Sequence, residues 1–214
     1  MKIGIIGTGN MGRSLGLRWA HNGHSVFFGS RDRSKAEAVA ADAGSSTQAG
    51  DFDAAAAYGE VILYTVREPL PSSLLRQPQA LAGKVVIDCN NSDIPDDFDF
   101  IAPIPSLAEK LAADVPQARV VKAFNTMSSK VIELDRETLA SQRVSVFLCS
   151  NDAAAKAIVS GLAEELGFIA VDSGELKRAR LVEGVADFIR FQILGMRRGF
   201  LATISMNILP EPSK

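Results

Sequence analysis

The sequence predicts an α/β fold: a doubly wound, mostly parallel sheet followed by a short helical segment at the C-terminus. Two patterns carry that prediction. Apolar runs without polar alternation recur along the first three-quarters of the chain, as strands covered on both faces require. Ala-rich stretches with helical spacing alternate with them, which is the βαβ order of a parallel sheet.

The first strand is Lys2–Ile6, and it runs directly into Gly7-Thr8-Gly9-Asn10-Met11-Gly12. A helical pattern follows from Arg13 to Asn22. Gly7 can adopt a turn that side chains resist. Gly9 lets the backbone approach a pyrophosphate, and Gly12 lets the helix pack close to the strand. The start of the helix then presents free N–H groups and a partial positive charge to phosphates. Glycine-rich turns also open helices that bind nothing. Here the turn follows a strand and precedes a second one at Ser25–Gly29, and that context assigns it to a dinucleotide. Further strands are expected at Val61–Val66, Lys84–Asp88, Arg119–Phe124, Val144–Cys149 and Phe168–Asp172. Helices are expected at Ser34–Ala43, Leu107–Ala113 and Ala153–Leu166. A ligand of such a sheet sits outside the carboxyl ends of the strands. The irregular stretch 90–105, with Pro95, Pro103 and Pro105, reads as a surface loop.

The 214 residues fit one domain with a small appendage. We divide them into a nucleotide-binding domain, 1–175, and a helical segment, 176–214, that packs on it and contributes to a homodimer contact. With 47% hydrophobic and 22% charged residues the composition is that of a globular protein with a full core. A net charge of −2 gives no reason to bind nucleic acid or an anionic membrane. The segment 176–201 is strongly apolar, but Arg190, Arg197 and Arg198 interrupt it, which argues against a membrane span. Cys89 and Cys149 lack metal-ligand spacing and read as buried thiols, so no metal site is expected and a reducing, cytoplasmic compartment fits. The opening strand belongs to the core and is not a cleaved signal peptide. His21 and His24 are expected at the surface.

The residues after the second strand distinguish the two nicotinamide dinucleotides. An acidic side chain there would hold a ribose 2′-hydroxyl. This chain has Ser30 and Arg31, with Lys35 about one turn further on. These supply donors and positive charge, which suit a 2′-phosphate. If two charge-assisted contacts contribute about 1.5–3 kcal/mol each, NADP is preferred by a factor on the order of a hundred or more. Asp32 comes one residue too late for the usual ribose ligand. The alternative is a solvated charge cluster opening a helix.

Three strand ends place polar groups where a nicotinamide would lie: Thr65-Val66-Arg67, Asn90-Asn91 and Asn125-Thr126. Amides and hydroxyls can orient a carboxamide and ribose without chemistry of their own. No residue is assigned as catalytic, because no general acid or base stands at this edge. Carbonyl reduction needs a proton donor near the reacting oxygen. Hydride transfer between two ring cofactors can rest on stacking and orientation, the cofactors carrying the chemistry. An apolar tail with scattered arginines then suits a flavin-like partner, with Arg178, Arg180, Arg197 and Arg198 either anchoring its phosphate tail or forming a solvated face.

The glycine turn, Gly29-Ser30-Arg31 with Lys35, Val120-Val121-Lys122-Ala123-Phe124-Asn125-Thr126, and Asp172-Ser173-Gly174-Glu175-Leu176 with Ala179-Arg180 together resemble one family. That family is the factor-420-dependent NADP oxidoreductases, which pass hydride between NADP(H) and a deazaflavin and which include the cytoplasmic domain of the STEAP metalloreductases. The resemblance implies that Thr8 to Gly12 hold the pyrophosphate and that Ser30, Arg31 and Lys35 hold the 2′-phosphate. It also implies that Thr65, Val66, Arg67 and Asn125 border the nicotinamide, with Asn90 beside them. The deazaflavin enzymes have a histidine where this chain reads Phe124-Asn125, and a proline near Arg67. Arg67-Glu68, Asn90-Asn91 and Lys122 to Thr126 look more like the STEAP domain. The acceptor therefore stays open between FMN, FAD and the deazaflavin factor 420. A different class is an NADP(H)-binding module without turnover, sensing redox state or supporting a partner. A hydroxyacid or imine reductase of related fold would need a larger helical domain after the sheet.

Overall fold

Each apolar run expected as a strand forms one in the computed structural model, which describes residues 1–44 and 47–210. β1 (Lys2–Ile6), β2 (Ser25–Gly29), β3 (Thr47–Gly50), β4 (Val61–Tyr64), β5 (Val85–Asp88) and β6 (Arg119–Lys122) make a six-stranded sheet in the order β3-β2-β1-β4-β5-β6. All five pairings are parallel. β7 (Ser145–Leu148) and β8 (Ile169–Asp172) form a second parallel pair, tied to β6 by an antiparallel bridge between Lys122 and Cys149. The helices are α1 (Asn10–His21), α2 (Arg33–Ala43), α3 (Phe52–Tyr58), α4 (Pro71–Leu74), α5 (Leu107–Asp114), α6 (Ser129–Ile132), α7 (Arg136–Ser141), α8 (Ala153–Glu164) and α9 (Ala179–Arg190).

The period of two along β1 explains the layers. Ile3 and Ile5 face a core shared with Leu15 and Trp19 of α1, Val39 of α2 and Val159 of α8. Ile6 faces the other side, with Phe52 and Ala55 of α3, Leu111 of α5 and Val182 of α9. Both faces are covered, as the unbroken apolar runs required.

β3 and α3 were not expected. Thr47-Gln48-Ala49-Gly50 has no apolar run of its own and extends by pairing with Val26 to Gly29. Asp51 then caps α3 by accepting from the Ala54 N–H at 2.8 Å. β4 and β6 stop two residues short of the expected Val66 and Phe124, which leaves Thr65–Arg67 and Ala123–Asn125 free to turn out over the carboxyl edge. His24 is not a surface residue. It is buried, and its Nε2 lies 2.7 Å from Glu165 Oε1, where the exit of α1 packs on α8.

The C-terminal segment is helical only to Gly195. After α9 it makes a single π-helical turn, Phe191–Gly195, and the described chain then runs to residue 210 without regular structure. It returns along β7, where the Ser145 N–H donates to Ile204 O at 3.4 Å and the Met206 N–H donates to Ser145 Oγ at 3.0 Å. Residues 211–214 of the expected 176–214 segment lie outside the described residues. Among the described residues no helix is long and apolar enough to cross a membrane.

Candidate functional site

The turn after β1 is built by its glycines. Gly7 has φ +108°, a left-handed conformation that a side chain would strain. A Cβ at Gly12 would lie 1.9 Å from the Gly7 carbonyl oxygen, so the helix can start only this close to the strand without one. Gly9 differs from both. Its backbone is extended, and a Cβ there would meet nothing within 4 Å. Thr65 Oγ1 donates to the carbonyls of Ile6 and Gly7, each at 3.1 Å, and fixes the turn from the β4 side.

Gly9 is the N-cap of α1, and no side chain accepts from the first-turn amides; no acidic residue stands in that turn. Five of the other helices are closed by a side chain, whereas α4, α6 and α9, like α1, are not. Asp32, Asp51, Ser106, Asp135 and Asp152 accept first-turn amides of α2, α3, α5, α7 and α8. The open space at Gly9 and the uncapped positive end of α1 fit a pyrophosphate.

At the end of β2, Ser30 Oγ accepts from the Asp32 N–H at 3.2 Å. Asp32 is the N-cap of α2 and accepts from the Ser34 N–H at 3.1 Å and the Ser34 hydroxyl at 2.6 Å. The Ser34 hydroxyl bond in particular holds its carboxyl below the usual carboxylate range. This explains the acidic residue one position late: it caps a helix. Arg31 is exposed and makes no ion pair among the described residues, while Lys35 Nζ lies 3.9 Å from Asp32.

Beyond β4, β5 and β6 two adjoining cavities open over the sheet edge. The first, about 440 Å³ and the more polar of the two, is bordered by Met11, Thr65, Arg67, Cys89 and Asn90. The second, about 390 Å³, is mainly apolar and lies among Met127, Ile189, Ile193, Leu194 and Phe200, with Asn125 at its wall. Met11, Asn91, Ile94 and Arg190 border both. Arg190 donates to Ser92 O at 2.5 Å, pairs with Asp187, and lies 5.1 Å from the Phe100 ring centroid. Burial pushes the Cys89 thiol up to about 12, so it is no nucleophile at neutral pH.

Beneath the cavities lies a buried ionic triad. Lys122 Nζ donates to Asp88 Oδ2 at 2.9 Å, to Glu183 Oε1 at 2.9 Å and to Asn90 O at 2.5 Å, and all three charged side chains are at most 3% exposed. Burial alone would lower the Lys122 pKa. Asp88 and Glu183 outweigh it and hold the ammonium above its ordinary value. Asp88 Oδ1 accepts from the Asn90 N–H and side chain, at 3.0 and 2.9 Å, which fixes the loop after β5. Glu183 also accepts from the Leu107 and Ala108 amides, at 3.2 and 3.4 Å, and so docks α9 on the start of α5.

A family model described as NADP oxidoreductase, coenzyme F420-dependent, matches residues 2–92. The F420-dependent NADP reductase of Methanocaldococcus jannaschii is 30% identical over 208 residues, covering 88% of this chain and 91% of the relative. The chain belongs to the F420-dependent NADP oxidoreductase family. The metalloreductase STEAP3 of Rattus norvegicus is 34% identical over 184 residues, 86% of this chain, which thus spans only about a third (36%) of that relative. A crystal structure from Arthrobacter sp. FB24, designated an F420-dependent NADP-reductase, superposes with a TM-score of 0.78 at 26% identity, covering 97% of this chain and all of the other.

In this member of the family the glycine turn, Thr65, Arg67 and Asn90 come together at one edge of the sheet, with Met11 facing both cavities. Asn10 and Asn125 border the apolar cavity. Ser30, Arg31 and Lys35 lie at the end of β2, on the opposite side of β1 from β4. Val66 packs against the core on the α3 side and borders neither cavity. Arg178, Arg180, Arg197 and Arg198 are exposed and border neither cavity; the arginine of the C-terminal segment that does is Arg190. The stretch 90–105 does more than cover the surface, since Asn91 and Ile94 border both cavities and Phe98 packs edge-on against Phe191 at 5.7 Å. The Lys122–Asp88–Glu183 triad joins three residues that are far apart in sequence. A lysine inside Val120-Val121-Lys122-Ala123-Phe124, an acid closing the apolar run Val85–Asp88 and Glu183 on the apolar stripe of 179–190 are its signal, since buried charges come paired.

Proposed function

We propose that this NADP-dependent oxidoreductase transfers hydride between NADP(H) and a flavin or deazaflavin. The observation that carries the reading is the pair of adjoining cavities. The polar one abuts the glycine turn and the ends of β4 and β5, and the apolar one is roofed by α9 and its π-helical turn. Bound NADPH would supply the hydride, and a proton from solvent completes reduction of the acceptor ring. The chain's part is placement. Gly7 to Gly12 would hold the pyrophosphate; Ser30, Arg31 and Lys35 the 2′-phosphate; and Thr65, Arg67, Asn90 and Asn125 would border the nicotinamide. Ile189, Ile193, Leu194 and Met127 would exclude water and press a flat ring against it. The M. jannaschii relative is named for factor 420, which supports a deazaflavin; FMN and FAD are the other acceptors of this shape.

In this reading residues 1–175 are the NADP-binding domain, and 176–214 pack on it and supply a homodimer contact. Exposed Phe188, Leu194, Met196, Phe200 and Leu201 support that contact. Two free, buried cysteines suit a reducing cytoplasm. Purified protein mixed with NADPH and each of FMN, FAD and factor 420, followed at the nicotinamide absorbance, tests the function. Oxidation with at least one acceptor is expected. Tight NADPH binding without turnover on any of them would favour a non-catalytic binding module instead.

A further inference from the structure

The wall of the apolar cavity holds a polar group that the protein leaves without a partner. Asn125 is 3% exposed, and its two amide hydrogens are both engaged: Nδ2 donates to Asn91 Oδ1 at 3.0 Å and to Val182 O at 3.3 Å. Asn91 reciprocates, its Nδ2 donating to the Asn125 main-chain carbonyl at 2.7 Å. The Asn125 side chain therefore cannot flip, because its oxygen would then face two acceptors. Its Oδ1 is buried and accepts from none of the described residues, and among them the neighbouring Thr126 Oγ1 is likewise without a partner. The backbone reinforces the placement. Phe124 sits at φ +60° and is fully buried, held edge-on between Trp19 at 5.8 Å and Phe168 at 6.2 Å. A bulky residue in the left-handed region persists only where its surroundings over-determine it.

A buried acceptor with fixed direction and no partner is costly unless a ligand donor meets it. We infer that Asn91 is a positioning residue which fixes Asn125 as the acceptor for the carboxamide N–H of the nicotinamide. This rests on the NADP reading above. Asn125 follows β6 at the same carboxyl edge as Thr65 and Asn90, on the side of β1 away from Ser30 and Arg31, where the nicotinamide half of the cofactor extends. The carboxamide carries the only N–H that the nicotinamide ring presents.

The test is calorimetric binding of NADP+ and of its 3-acetylpyridine analogue, in which a methyl replaces the amide NH2, to the full chain. The wild type is expected to prefer NADP+ by roughly ten- to a hundredfold, the span for one buried unsatisfied acceptor. Asn125→Leu and Asn91→Leu should bring the two ligands within about threefold by weakening NADP+ alone. Asn91 is only half-buried, so its variant tests the idea even if Asn125→Leu fails to fold. Equal binding of both ligands by the wild type, or full preference in Asn91→Leu, overturns this inference while leaving NADP binding intact. Wild type that binds neither ligand removes the NADP reading and this inference together. A preference untouched by the variants, with instead a changed selection between lumiflavin and N3-methyl-lumiflavin, would give Asn125 to the acceptor and refute the assignment.

Discussion

Gly9→Ala separates a glycine kept for a ligand from glycines kept for the fold. Gly9 has φ −69° and ψ −174°, which alanine adopts freely, and a Cβ there meets nothing within 4 Å. Alanine is a poorer N-cap than glycine, but it also restricts the unfolded chain, which offsets about 0.4–1 kcal/mol. Net stability should move by no more than about 0.5 kcal/mol, or roughly 2 °C in Tm for a chain of this size. Gly12→Ala is the contrast. Its Cβ would sit 1.9 Å from a backbone oxygen, so α1 must shift, at a cost of about 1–3 kcal/mol or more. Binding should rank the other way for Gly9. A methyl between the loop and a pyrophosphate costs at least one charge-assisted hydrogen bond, about 1.5–3 kcal/mol, or roughly ten- to a hundredfold in Kd. Thermal unfolding of the unliganded variants and calorimetry with NADPH measure both terms. Unchanged affinity in Gly9→Ala would show that no phosphate approaches this turn, and loss of folding would show that the space is not reserved for a ligand.

Arg31→Ala should weaken NADPH about tenfold and leave NADH unchanged, the low end for a charge-assisted contact because Arg31 is exposed and screened by salt; parallel titrations with the two dinucleotides decide it. Lys122→Met strands Asp88 and Glu183 without their cation and should lower stability by about 3–5 kcal/mol in urea unfolding, whereas a surface pair would lose almost nothing. Asp152 is held down to about 2 by the Arg119 side chain. A depressed carboxyl contributes its full stability above its ordinary pKa of 3.8 and loses it as pH falls toward about 2. Asp152→Asn keeps the α8 cap and should therefore flatten the stability–pH curve in that acid window alone.

How much of this could be read from residues follows from how local each cause is. The glycine turn and the strands around it are set by neighbours in sequence, and Lys2–Ile6 and Ser25–Gly29 appear with the expected ends. β3 forms because β2 offers it an edge, and nothing within Thr47–Gly50 announces that. His24 looked like a surface residue because its burial depends on Glu165, which lies 141 residues away. Asp32 is out of place for a ribose in the sequence, and only the α2 cap shows what it does. In the sequence Arg190 reads only as an interruption of an apolar run. Its place between two cavities depends on Ser92 and Phe100, contributed by a loop far away in sequence.

The division of labour in the chain follows from the same geometry. In the proposed binding mode one end of the dinucleotide would be served by elements close in sequence, residues 2–35, without help from the tail. The other end would be assembled from β5, β6, the 90–105 loop and α9, and the Lys122 triad ties three of these together: Asp88 on β5, Lys122 on β6 and Glu183 on α9. A replacement of hydrophobic character at one member leaves the other charges uncompensated, while replacing all three by well-packed apolar groups can be neutral or stabilising. Stability alone therefore does not account for the triad. Through Asn90 and the α5 start it holds the loop after β5 and the helix that roofs the apolar cavity in one register. An apolar replacement of Asp88, Lys122 and Glu183 together frees the Asn90, Leu107 and Ala108 amides but strands no charge, so it should still fold yet slow NADPH oxidation through a raised KM for the acceptor. Unchanged acceptor KM in a folded triple variant would refute the coupling.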